Sequence, residues 1–140
     1  MATYTFQSSP SLDAEIVQFF QDFYRISDNP ESHDEYVNQF TADSTFTLAS
    51  KTGNGSAQIR AIREAMWAQV HSRTHTVQKV FSGPNSNDVM LHGEVSYELK
   101  NGHKSSVDWA ARAEMVKGDD GKLRMSRYQV YLDTAAMVPK

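Results

Sequence analysis

The chain has no cysteine, and no run of apolar residues approaches the roughly 18 in succession that a membrane helix needs. Without thiols it forms no disulfide, no thiolate nucleophile and no cysteine-ligated metal site. Absence of cysteine also suits a reducing compartment. Residues 1–10 offer neither a cationic stretch nor an apolar core, so they do not read as a secretion signal, and the expectation is a cytoplasmic protein. Charge of one sign is missing too. Fourteen Lys and Arg are interleaved with seventeen acids for a net charge of −3. That leaves no basic stripe for nucleic acid and no cationic face for an anionic membrane. Repeats and low-complexity segments are likewise absent.

What is present is the material of one ordinary domain. A chain of 140 residues, 39% of them hydrophobic, can bury a real core. Residues 1–10 read as a flexible tail, 11–133 as a single domain and 134–140 as a second tail. Ser11 is placed to cap a helix in which Leu12, Ile16, Phe19, Phe20, Phe23 and Ile26 recur every three or four residues, giving an aromatic face. Ser27-Asp28-Asn29-Pro30 ends it, because proline cannot continue the ladder. Ser32 with Glu35 reads as the capping box of a short second helix carrying Tyr36, Val37 and Phe40.

Residues 44–50 alternate as a strand, 51–55 read as a turn, and a third helix starts at Ser56 with Ile59, Ile62, Met66, Trp67 and Val70 as its stripe. From about Thr74 the period becomes two. A loop at 83–87 leads to a long strand at 88–100, and Asn101-Gly102 is a strong hairpin signal. The returning strand spans 105–117 and the last one 122–132. In the last strand the apolar phase slips between Met125 and Tyr128, which predicts a β-bulge.

Helix, helix, strand, helix and four further strands make an α+β class, with the helices gathered on one face of an antiparallel sheet. A bulged, twisted sheet curls around its helices and encloses a cone. This order, the aromatic first helix, the Met66-Trp67 helix leading into Arg73-Thr74-His75, and the ending Tyr128-Gln129-Val130-Tyr131-Leu132-Asp133 resemble the NTF2-like superfamily. Within it, the chain is most similar to the SnoaL-like branch of small fungal proteins and, more distantly, to scytalone dehydratase-like members. The resemblance implies a cone-shaped fold, three helices from the N-terminal half on a strongly curved antiparallel sheet. That fold hosts isomerases, dehydratases, cyclases and non-catalytic binders.

His75 is the first candidate for chemistry. Its strand phase, shared with Val77 and Phe81, turns it inward, and an imidazole there can exchange a proton near neutral pH. In scytalone dehydratase-like members a histidine at the similar place does acid–base work. The alternative is a core histidine bonded to a backbone carbonyl. Tyr24 lies one turn after Phe20, and similar folds use a tyrosine there to hold a ligand oxygen; otherwise it is a rim residue.

Asp108 is the third catalytic candidate, because isomerase-like relatives carry an acid on the later strands. The apolar face of its strand is Trp109, Ala111, Ala113 and Met115, so Asp108 faces outward unless a bulge reverses the phase. His92 is out of phase with Leu91 and Val95, and His71 sits near a helix C-terminus. Phe20, Met66, Trp67 and Tyr128 would form the apolar wall against a ligand, or simply the core.

The histidines show no close pair on one face, so no metal is expected, and no loop has a nucleotide or cofactor signature. The resemblance implies a cofactor-independent isomerase, dehydratase or cyclase acting on a small hydrophobic polyketide- or terpenoid-like molecule. The alternative is a non-catalytic small-molecule-binding or assembly module. A homodimer is expected in either case, through the outer sheet face carrying Glu94, Ser96, Glu98, Asp108 and Arg112.

Overall fold

Asp13 rather than Ser11 starts the first helix: its carboxylate accepts from the backbone N–H of Glu15 at 2.9 Å. In this computed structural model, which describes residues 4–137, helix α1 runs Ala14–Ser27. It buries Ile16, Phe19, Phe20, Phe23 and Tyr24, the last three with no exposed surface. Burial of one such ring contributes about 1.5–3 kcal/mol, so this face dominates the core. A short α2, His33–Val37, follows. Ser32 makes no side-chain capping bond there, so the expected capping box is not formed.

The segment 51–55 is not the turn. Strand β2 (Phe40–Leu48) folds back on β3 (Lys51–Asn54), so the reversal falls at Ala49-Ser50, two residues earlier. Ala49 holds φ at +54°, a conformation costing a residue with a Cβ roughly 1–2 kcal/mol. Helix α3 (Gly55–Trp67) then covers β2 and β3. Strands β4 (Val70–Ser82), β5 (Asp88–Leu99), β6 (Lys104–Lys117) and β7 (Leu123–Leu132) follow in antiparallel sequence.

β7 pairs parallel with β2, and the chain before α1 adds β1 (Gln7–Ser8) parallel to β4. The order is β1-β4-β5-β6-β7-β2-β3, a curved sheet that is mixed at its two crossovers and antiparallel elsewhere. Within the segment expected as a tail, Gln7 and Ser8 thus form the edge strand of the sheet. At the other end, Thr134–Met137 form a short 3-10 turn against β6.

Register shifts fall at four places in the sheet. Two of them lie between Val70 and Ser72 and between Phe40 and Thr45, and the other two are bulges that set the phase of the inner face. Ser126 is the extra residue between Met125 and Arg127, where the apolar phase of β7 slips as expected. Gln78 is the extra residue in β4, between Val77, opposite Gly93, and Lys79, opposite His92. Past that bulge Val80 takes the inner face. Phe81 is turned outward and stacks on His92 at 5.9 Å, so the expected inward Phe81 is corrected. Strand β4 also starts at Val70 rather than Thr74. That takes His71 off the helix and sets it on the exposed face, 3.7 Å from Glu98.

The Gln78 bulge presses the two backbones together at Gly93, where a Cβ would strike the carbonyl oxygen of Thr76. Gly93→Ala is expected to cost about 2 kcal/mol or more, because neither backbone can retreat from the methyl. Urea unfolding of the two proteins checks this, and a midpoint equal to wild type would show that the bulge is soft.

Candidate functional site

The four turns of α1 end at Asp28, whose backbone N–H closes the last turn on the carbonyl of Tyr24. A carboxylate there runs against the helix dipole, so it needs cations or donors from elsewhere. It finds them on β4. Asp28 Oδ1 lies 2.6 Å from His75 Nδ1 and 3.3 Å from Arg73 Nε. Its Oδ2 accepts from the backbone N–H of His75 at 2.8 Å and from the hydroxyl of Tyr4 at 2.9 Å. The Asp28, Arg73 and His75 side chains are only 6%, 9% and 12% exposed.

Arg73 also donates to the carbonyl and hydroxyl of Ser27, and its guanidinium lies 5.1 Å over the Trp67 ring. A second buried arginine, Arg63, donates to the carbonyls of Ile26, Ser27 and Asn29 and stacks on Tyr36 at 4.4 Å. Burial draws its pKa down to about 10. Two guanidiniums therefore hold the negative end of α1 in place.

Electrostatics set the protonation states. Burial alone would raise the Asp28 carboxyl, but the hydrogen bond and charge of His75, with Arg73, outweigh it and hold Asp28 below its usual value. Burial lowers His75, more than its bond to Asp28 raises it, and Arg73 adds to the lowering. A neutral imidazole facing an ionised carboxylate keeps its proton on Nδ1. Nε2 is then the basic nitrogen, the arrangement in which an imidazole accepts a proton from a bound molecule.

Tyr24 and Trp109 flank this ring. The centroids of Tyr24 and His75 are 4.8 Å apart, those of His75 and Trp109 are 5.5 Å apart and edge-on, and those of Tyr24 and Trp109 are 5.2 Å apart. The Tyr24 and Tyr128 hydroxyls share a hydrogen bond of 2.8 Å. Burial pushes both phenols well above their usual range. Two hydroxyls sharing one bond use only one of their two protons. The Trp67 and Trp109 indole N–H groups are buried without an acceptor.

The structure thus brings His75, Tyr24, Phe20 and Tyr128 into one cluster, with Phe20 stacked on Tyr24 at 6.2 Å. Trp67 and Met66 join it through Arg73, which reaches the Met66 sulfur at 3.7 Å. Asp108 is not among them. It lies exposed on the outer face opposite Glu94, because neither bulge touches its part of β6 and the strand alternation carries through unbroken. His92 is also on the outer face. Among the described residues, no group of three His, Cys, Asp or Glu converges as a metal site.

Asp28 is the residue that sequence reasoning missed, since Ser27-Asp28-Asn29-Pro30 reads as a helix stop. Its signal is the acid at the wrong end of a helix dipole. Two surface cavities, of about 520 and 390 Å³, lie elsewhere, one beside Phe40 and Arg124 and the other beside Asp22 and Gln39. Neither is lined by His75, Tyr24 or Trp109.

No known protein-family profile matches the sequence, and neither does any curated protein. Solved structures do. Nuclear transport factor 2 from Cryptosporidium parvum superposes with a TM-score of 0.73 at 15% identity, over 92% of this chain and all of that one. The chain has the NTF2-like fold. ActVI-ORFA from Streptomyces coelicolor shares this NTF2-like architecture with a TM-score of 0.73 at 19% identity, over 86% of this chain and 96% of its own. A protein from Novosphingobium aromaticivorans, provisionally named a scytalone dehydratase, reaches 0.75 at 13% identity, over 85% and 82%. At such identities the likeness establishes the NTF2-like cone and no activity. No helix among the described residues is long and apolar enough to cross a membrane.

The two pKa shifts run in one direction. Unfolded His75 binds its proton near 6.5 and folded His75 only at lower pH, so the unfolded chain holds more protons below 6.5 and stability falls on acidification. Asp28 adds a further loss below its ordinary 3.8. The urea midpoint is therefore expected to drop between pH 7 and pH 5, and His75→Asn, which keeps a donor toward Asp28, is expected to flatten that drop. Asp28→Asn leaves Arg73 buried without its counter-charge and is expected to cost about 3 kcal/mol. A wild-type midpoint that stays level from pH 7 to 5 would show that His75 is not held neutral.

Proposed function

We propose that this chain is a cofactor-independent enzyme of the SnoaL-like type, which moves protons on a small hydrophobic, oxygenated molecule such as a polyketide- or terpenoid-like intermediate. The reaction class is isomerisation, dehydration or cyclisation. The observation that carries the proposal is the 2.6 Å contact between His75 Nδ1 and Asp28 Oδ1, at a ring flanked by Tyr24 and Trp109. His75 Nε2 takes the proton, and Asp28 stabilises the imidazolium that forms. The unused hydroxyl proton of the Tyr24–Tyr128 pair is available to the oxygen where charge develops, in surroundings of low dielectric. Phe20, Met66, Trp67 and Tyr128 supply the apolar contact surface. No step calls for a metal or a cofactor.

A second reading, a non-catalytic small-molecule-binding or assembly module, draws on the filling of the cone. Phe20, Phe23 and Tyr24 have no exposed surface, so a ligand must displace side chains or backbone to enter. Hydrogen–deuterium exchange at the α-carbons of a panel of cyclic ketones and enones in D2O, followed by NMR, separates the readings. The enzyme accelerates exchange on at least one of them, and His75→Asn or Asp28→Asn loses about 10²–10⁴-fold of that rate. Binding of a panel member with no exchange supports the module instead. Activity is expected to fall as pH drops through the lowered pKa of His75.

The homodimer is proposed on the outer sheet face, centred differently from the polar residues named at first. Phe81 and Tyr131, 44% and 45% exposed, are joined across the strands by Met90, His92 and Ala110. An apolar band of this kind, rimmed by Glu94 and Arg112, is what a two-fold contact covers. Sedimentation at micromolar concentration is expected to give twice the 15.8 kDa of one chain, and Phe81→Glu with Tyr131→Glu to halve it. A 15.8-kDa species alone in the wild type overturns the dimer.

A further inference from the structure

The residues ahead of α1 are fastened at few points. β1 gives two residues to the edge of β4, Ser9 donates its backbone N–H to the carbonyl of Val80 at 3.0 Å, and the Ser11 and Ser82 hydroxyls lie 3.0 Å apart. Gln7 and Ser8 are exposed. Yet this lightly held segment reaches the most buried charge cluster of the molecule. Tyr4 and Phe6 pack against the core, and the Tyr4 hydroxyl donates to Asp28 Oδ2, the carboxylate that orients His75. Beyond it, strands β4 to β7 are ladders of 10 to 14 residues, β2 and β3 lie under α3, and α1 offers a fully packed face. Where a fold must open, it opens at its least cooperative piece.

We propose that Tyr4 is a positioning residue of the His75–Asp28 site and that residues 4–11 form a detachable strap over it. Seated, Tyr4 takes one lone pair of Asp28 and shares its charge with His75 and Arg73. Released, it uncovers that side of the cone and leaves the carboxylate to His75 and Arg73. A carboxylate with one donor fewer attracts a proton on the facing imidazole more strongly. The strap thereby couples access to the basicity of His75. The ionisable groups around that ring are Asp28 and Tyr24 from α1, Arg73 from its own strand, Tyr97 from β5 and, through Asp28, Tyr4. Of these only Tyr4 sits on the strap. The inference uses the site on which the proposed function rests, but not its turnover.

Absence of cysteine makes the test clean. Gln7 and Lys79 are exposed partners across the β1–β4 ladder, so Gln7→Cys with Lys79→Cys closes a disulfide that locks the strap. Both tryptophans are buried, and Trp109 lies against His75. In a Trp67→Phe background, acrylamide is expected to quench Trp109 less in the oxidised protein than after reduction with dithiothreitol. Equal quenching in the two states overturns the strap. Separately, NMR titration of the His75 ring is expected to give a higher pKa in Tyr4→Phe, which keeps the ring and removes the hydroxyl. An unchanged pKa overturns the positioning role. Neither readout needs a substrate, so a chain that catalyses nothing can pass both and an active enzyme can fail both.

Discussion

Asp28 is where the architecture closes on itself. A carboxylate at the C-terminal end of a helix is repelled by the last carbonyls, and burying it adds a desolvation cost of several kcal/mol. The fold offsets both with donors from two separate parts of the chain: Tyr4 before α1, and Arg73 and the backbone and ring of His75 on β4. Arg63 from α3 secures the neighbouring carbonyls. One side chain thus holds the first helix, strand β4 and the N-terminal segment in register. It also imposes a tautomer on the one imidazole at the aromatic core. Stability and chemistry meet in that carboxylate.

The sheet supplies the shape that makes this meeting possible. The bulges at Gln78 and Ser126 each reverse the side-chain phase partway along a strand and sharpen the local twist. The inner face therefore stays lined by Val77, Val80, Tyr128 and Val130 although the chain has shifted by one residue. Ala111 and Ala113 are fully buried small residues of the inner face, and Gly93 lets the backbones of β4 and β5 close together at the bulge. The result is a cone filled by its own aromatics, in which His75, Tyr24 and Trp109 are mutual neighbours.

Much of this was legible from local pattern. The 3–4 spacing of Ile16, Phe19, Phe20 and Phe23, the Asn101-Gly102 turn and the phase slip before Tyr128 each report on a few consecutive residues, and each appears in the structure. Asp108 could be placed outward from its own strand alternation. The Gln78 bulge was hidden, because Lys79-Val80-Phe81 supports either phase; only pairing with β5 chooses between Val80 and Phe81. The reversal at Ala49-Ser50 was hidden as well, since two glycines at 53 and 55 offer the more obvious turn. Gly53 is instead spent on packing against Ile62.

Sequence periodicity alone determined the class, the order of the main helices and strands and the inward phase of His75, because those depend on neighbours within one or two turns or one strand. Tertiary structure alone decided which group His75 answers to. Asp28 lies 47 positions away, and Tyr4 a further 24. No spacing rule connects them. They meet because a helix end, strand β4 and the residues before the helix converge on one buried charge that none of them can satisfy alone.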